Sequence, residues 1–347
     1  MALLGKIFGR NPGVPPTAAG RPATGVNLIK AAIDGDAAAV EALLAKGVDA
    51  NAKLDDGLTA LRAASEAGHP NVVQALLAKG ANVNAKDNDG ATALLAASNA
   101  GHRHVVQALL AKDAEVNAQL NSGATALITA SQRGHRDIVQ ALLAQGADVN
   151  AKLNDGSTAL MAASEQGHYD VVQALLNKGA DVKAKKNNGA TALIAAASNS
   201  HRDVVQALLA KGADVSARRS DSATALHLAS QNGNCDVVQA LLAKGADVNA
   251  KFNDGSTALI MASNNGHRDV VQALLNNRAD VNVPNNDATA LIIASQQGHR
   301  DVVQALLAKG ADVNARRKHG GATALTMATQ QGHREVVALL LKAGAKP

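Results

Sequence analysis

Aromatic residues are almost missing from this chain. Phe8, Phe252 and Tyr169 are the only three in 347 residues, and there is no tryptophan. A core without rings must be filled by Ala, Leu, Val and Ile, which is where most of the 47% hydrophobic content lies. Small side chains suit helices that pack closely through the same contact again and again. Cysteine is nearly absent too. The lone Cys235 excludes an internal disulfide framework and fits a reducing, cytoplasmic compartment. No stretch approaches the ~20 apolar residues that a membrane span needs. The N-terminal segment MALLGKIFGR lacks a long apolar run and a cleavage site after one, so it makes a poor secretory signal. Charge of either sign is modest, with 34 Lys and Arg against 29 Asp and Glu, a net of +5. That permits an acidic partner without demanding one.

What the chain has in abundance is repetition. The tripeptide Thr-Ala-Leu begins at Thr59, Thr92, Thr125, Thr158, Thr191, Thr224, Thr257, Thr289 and Thr323. Six steps are 33 residues long, the next is 32 and the last is 34. Length alone would suggest two globular domains. A fixed period near 33 overrides that, because it marks one supersecondary unit stacked into a solenoid. Residues 1–25 hold four of the seven prolines and read as a flexible leader. A degenerate unit starts at Val26 and runs to residue 54. Its Asn27, Lys30, Asp34 and Glu41 suit an end that faces water. Nine fuller units follow, so the count is ten over residues 26–347.

The unit at residues 55–87 shows the local physics. Asp56-Gly57 signals a tight hairpin turn. Thr59 is placed to cap a helix over Ala60–Ala67, which Gly68 ends. His69-Pro70-Asn71 turn the chain into a second helix over Val72–Lys79, with Val72, Val73, Leu76 and Leu77 as its buried stripe. Gly80 is the stop. Neither helix is long enough to stand alone, so stacking must supply the stability. The expected fold is an all-α solenoid of paired short antiparallel helices with β-hairpin-like connecting loops.

These five blocks, recurring in order and in phase, resemble the ankyrin repeat, whose pattern runs D-x-x-G-x-T-P-L-H-x-A-A, G-H, V-V-x-L-L-L and G-A-D-V-N. The resemblance covers everything but the leader. Two departures are regular. Every Thr-Pro-Leu-His block reads Thr-Ala-Leu, and His227 alone keeps the block's histidine. The resemblance implies that residues seven and eight after each Thr line a concave groove.

Catalysis and metal binding find little support. Seven histidines stand in Gly-His pairs, from His69 to His333, one per unit. Helices pack roughly 8–10 Å apart, whereas zinc holds its ligands at about 2.0–2.1 Å. A ladder at repeat spacing cannot close on one ion, so a turn-stabilising role is expected and no metal. Cys235 lies beside Asp236, which raises a thiol pKa and argues against a nucleophile. No phosphate-binding loop stands apart from the repeat glycines. The chain therefore reads as no enzyme, with no cofactor.

Two sets of residues vary between units. The groove positions carry Glu66, Asn99, Gln132, Arg133, Glu165, Gln166, Asn199, Gln231, Asn232, Asn264, Asn265, Gln296 and Gln297, mostly amides able to donate and accept. The hairpins carry a basic stripe that thickens at Lys183, Lys185, Lys186, Arg218 and Arg219. Of these, Lys185, Lys186, Arg218 and Arg219 are expected to form one positive surface. The reading is a protein-interaction module, binding through groove and hairpins. An acidic protein partner ranks above nucleic acid, because no aromatic residues are available to stack bases. A scaffold without a client and a polyanion adaptor are the alternatives. The chain is expected to be mostly monomeric, with weak self-association through an apolar C-terminal helix.

Overall fold

The computed structural model describes residues 23–346. Among the described residues, twenty helices follow one another in ten pairs, from Ala23–Asp34 with Ala37–Ala45 to Ala324–Gln330 with Arg334–Lys342. Of the expected leader, only Ala23–Gly25 are described, and they form the first turn of the first helix. No extended strand is present among the described residues. The hairpins instead show single antiparallel bridges, such as Lys53 with Thr59 and Lys152 with Thr158.

Each fuller unit builds itself by the same local rules. In the unit of Thr59, the hydroxyl accepts the Arg62 N–H and starts a helix over Ala60–Ala67. Gly68 closes it at φ 79°. The second helix runs over Pro70–Ala78, two residues earlier than the sequence suggests. Pro70, whose fixed φ and missing N–H suit the first helical position, opens the helix at the same place where Arg103, Arg136 and Arg202 open theirs. Val72, Val73 and Leu76 are fully buried, while Leu77 is half-buried.

First helices pack closely on first helices along the stack, and second helices approach each other less. The first-helix side is therefore the concave one. Alanine and serine make that close approach possible. Ser65, Ser98, Ser131, Ser164, Ser230, Ser263 and Ser295 lie at 0% exposure between neighbouring helices, and their hydroxyls find no partner.

The irregular spacings are absorbed in two hairpins. An ordinary hairpin closes over four residues, as from the Asp87 N–H to the Ala91 carbonyl at 3.1 Å. The one containing Pro284 closes from Asn285 to Ala288, one residue tighter. The next closes from Arg317 to Ala322, one residue wider. The short hairpin brings its helix in differently: Thr289 alone among the nine threonines makes no cap, and its hydroxyl is buried without a partner.

Asp113 and Arg278 replace the glycine that stops the second helix. Both adopt positive φ, 59° and 65°, a conformation strained for a side-chain-bearing residue. The connections are nonetheless not looser. Ala114 and Ala279 still bond back to Leu109 and Leu274 at 3.2 and 3.0 Å, as Ala147 does to Leu142 at 3.0 Å. At the last helix, Leu339 is half-buried and Leu341 is 50% exposed.

Candidate interaction surface

The residue seven places after the Thr lies in the last turn of the first helix, on the concave side, and in seven units its backbone is tied to the next unit by a histidine. The Nε2 of His102 donates to the Glu66 carbonyl at 3.0 Å, His135 to Asn99 at 3.2 Å and His168 to Gln132 at 3.1 Å. His201, His267, His299 and His333 do the same to Glu165, Gln231, Asn264 and Gln296 at 3.0–3.1 Å. The histidines thus bridge units rather than stabilise a turn within one. His201 belongs to this ladder although serine, not glycine, precedes it. Because a carbonyl only accepts, each ring carries its proton on Nε2. Among the described residues no three His, Cys, Asp or Glu are grouped to hold a metal ion.

Pinning the backbone leaves several groove side chains unengaged. Those of Gln132, Gln166, Gln231 and Gln296 make no hydrogen bond among the described residues, and Gln166 and Gln231 are exposed. Others are partly spent on structure. Asn232 and Asn265 donate to the carbonyls of Ser198 and Gln231 in the preceding units, at 2.7 and 2.8 Å. Asn199 donates to Ala195 in its own helix. Arg133 reaches back to Asn99 at 3.4 Å, and Gln297 to Asn264 at 3.4 Å. Glu66 is exposed and lies 3.6 Å from Arg62.

The cationic hairpins divide in the same way. Lys186 pairs with Glu165 at 3.8 Å, and Arg219 with Asp221 at 2.6 Å. Lys183 and Lys185 are exposed and form no ion pair, and exposed Arg218 donates to the Lys251 carbonyl at 3.0 Å. Asp214 lies near both lysines. Its carboxyl is held below the usual range first by the Ser216 hydroxyl and then, against some burial, by the Ser216 N–H and the charges of Lys185 and Lys183.

An asparagine ladder along the hairpins was not singled out by the sequence, although its signal is the Asn that recurs two residues after an Asp, Asn or Glu. Asn84 accepts the Glu115 N–H at 2.7 Å and donates to the Asp113 carbonyl at 3.4 Å. Asn51, Asn117 and Asn150 repeat both bonds, and Asn282 does so farther along. His227 supplies a different tie: it is 1% exposed, accepts the Thr224 N–H on Nδ1 and donates from Nε2 to Ala250 at 2.9 Å. Burial holds its pKa below the ordinary value. Burial, then Asp269 and Asp236, push the Cys235 thiol up.

The comparisons with known proteins agree with this architecture. The family described as "Ankyrin repeats (3 copies)" matches residues 28–120, 112–186, 182–252, 226–317 and 284–347. The chain belongs to the ankyrin repeat family. Among solved structures, the crystal structure of the human ASB11 ankyrin repeat domain is similar, with a TM-score of 0.58 and 32% identity. That match covers 63% of this chain and 98% of the other. No curated protein matches by sequence. Ankyrin repeats are generally protein-interaction modules, and no described helix here is long and apolar enough to cross a membrane.

Proposed function

We propose that this ankyrin chain binds a protein partner across its concave side and hairpin edge and performs no chemistry of its own. One observation carries the reading. The groove residues Gln132, Gln231 and Gln296 have their backbone carbonyls fixed by a histidine of the next unit, while their side-chain amides have no partner among the described residues. Amides on a rigid backbone present donors and acceptors already in position, which lowers the ordering cost of association. An extended segment or loop with its own unpaired backbone groups is the matching ligand. The partner is acidic in the region that meets the hairpins, and the setting is the cytoplasm, where the lone Cys235 stays reduced. The chain acts mostly as a monomer, with weak self-association through the face around Leu341.

The test is site-specific photo-cross-linking in cell extract. A photoreactive residue at Gln132, Gln166 or Gln231 gives the same discrete cross-linked protein from each position. The same residue at Gln107, Gln140 or Gln206, which are exposed on second helices, gives none. Equal labelling from both sides, or none from either, overturns the reading. Light scattering over a concentration series tests the association: mass must rise with concentration in the wild type and stay constant in Leu341→Glu.

A further inference from the structure

Two successive hairpins in the middle of the stack have given up the clamp that holds their neighbours. Asn51, Asn84, Asn117 and Asn150 each bond the next hairpin twice, and Asn249, Asn282 and Asn314 resume by accepting N–H groups of Asp280, Asp312 and Lys346. The positions between them hold Lys183 and Ser216. An ammonium has no lone pair to accept an N–H. The serine hydroxyl turns back onto Asp214 at 2.6 Å and bridges nothing. The tip contact is longer at one of these two joints: the Asn253 N–H lies 3.3 Å from the Asp221 carbonyl, whereas the Ser220 N–H still meets the Asn188 carbonyl at 2.8 Å.

The residues that replaced the clamp bring positive charge. Hairpin segments 181–190 and 214–223 carry five cations against three aspartates, whereas segments 49–58 and 82–91 carry two lysines against five aspartates. Two of the five cations are already paired, at Lys186 and Arg219. Lys183, Lys185 and Arg218 remain exposed and, among the described residues, form no ion pair, although Asp214 lies near both lysines. A position that breaks a structural rule shared by its neighbours marks a site where another demand outweighs stability.

We infer that the hairpin edge at Lys183, Lys185 and Arg218 is a docking site for an acidic peptide segment of the partner. This rests on the interaction-module reading and names the chemistry of one part of it. A peptide fits better than nucleic acid, because base stacking needs exposed rings. Phe252, which follows the Lys251 that Arg218 bonds, is half-buried and packs edge-on against His227. Carboxylates meeting exposed ammonium and guanidinium groups give fast association that salt screens.

The experiment uses the full chain and a fluorescein-labelled peptide of about ten residues, alternating Glu and Ser, followed by fluorescence anisotropy. Salt is varied from about 0.02 to about 0.3 M, which shortens the screening length severalfold. Lys185→Glu with Arg218→Glu weakens binding about tenfold or more at low salt, and the difference shrinks as salt rises. Lys183→Asn restores the clamp, so it raises the melting temperature by a few degrees while weakening the peptide severalfold. Arg316→Glu with Lys318→Glu, at the other cationic hairpin, leaves affinity within about twofold. The inference is overturned by unchanged binding on reversal at 185 and 218, by an equal loss in the 316 and 318 control, or by no rise in stability in Lys183→Asn. A tighter, equally Lys185-dependent complex with an oligothymidine of the same length overturns it in favour of nucleic acid. The cross-linking test probes the concave side and this one the hairpin edge, so either can fail alone.

Discussion

Asn234 faces Ser200 at the one joint where the histidine ladder is interrupted. Elsewhere the first position is histidine and the second is glycine, and the glycine is there for room. A Cβ on Gly233 would come within 2.6 Å of the His267 ring, and one on Gly134 equally close to His168. Ser200 has that Cβ, at φ 67°, and the residue opposite is the smaller asparagine. The Ser198 carbonyl, which a histidine at 234 would bind, takes the Asn232 amide at 2.7 Å, and Asn234 Nδ2 is left buried without a partner. The substitutions are therefore coupled. Asn234→His alone overpacks the joint and costs about 1–3 kcal/mol. Combined with Ser200→Gly it becomes more stable than the wild type, with a coupling energy of about 1–3 kcal/mol. Urea denaturation of the four proteins of the cycle measures it, and additive effects contradict the pairing.

Two glycines of one unit separate backbone freedom from space. Gly134 and Gly146 have nearly the same φ, 75° and 80°, but only Gly134 has the His168 ring against it; around Gly146 nothing lies within 4 Å. Gly146→Ala costs about 1–2 kcal/mol, the left-handed penalty alone. Gly134→Ala adds overpacking of about 1–3 kcal/mol, and His168→Ala in the same chain relieves that second part. Equal midpoints for the two single variants contradict this. Asp113 and Arg278 already show that the open site accepts a side chain.

The caps differ in the same testable way. Thr92 accepts the Leu95 N–H, so Thr92→Val costs about 1 kcal/mol. Thr289 caps nothing and buries its hydroxyl without a partner, so Thr289→Val is neutral or stabilising by up to about 1 kcal/mol. Thermal melts of the two variants decide it, and an equal loss in both is the contrary result.

The short hairpin is tied to the wide one after it through Asp287. Its carboxylate accepts from the Arg317 guanidinium, with Nε at 2.6 Å, and from the His319 N–H at 3.0 Å. The Arg317 hydrogen bond, helped by His319, lowers its pKa from 3.8 to about 2. The folded chain therefore binds this proton more weakly than the unfolded one. The stabilisation is complete above the unfolded pKa of 3.8 and is lost as the pH falls through about 2. Carboxyl-carbon NMR shows Asp287 titrating near 2 in the wild type and near the ordinary value in Arg317→Ala. A wild-type midpoint near 3.8 contradicts the clamp.

Much of this molecule was legible before any coordinates. The Thr59-type caps and the Gly68 and Gly80 stops are decided within a few residues of chain, and the 33-residue period with its steps of 32 and 34 is read from the threonines themselves. The groove positions were legible as positions, but not as working or idle groups. Asn232 and Gln231 look alike in sequence, yet one amide holds the Ser198 carbonyl and the other holds nothing. Lys185 and Lys186 are neighbours, yet only Lys186 meets a carboxylate.

The unit is readable from the chain alone, because backbone φ, caps and hairpin turns depend on adjacent residues. What joins one unit to the next emerges only when the units are stacked. A histidine finds a carbonyl 36 residues back, an asparagine an N–H 31 residues ahead, and a glycine proves necessary for the ring it faces as well as for its own φ. Those partners are set by how the units stack, and that distance in space is written nowhere in the period.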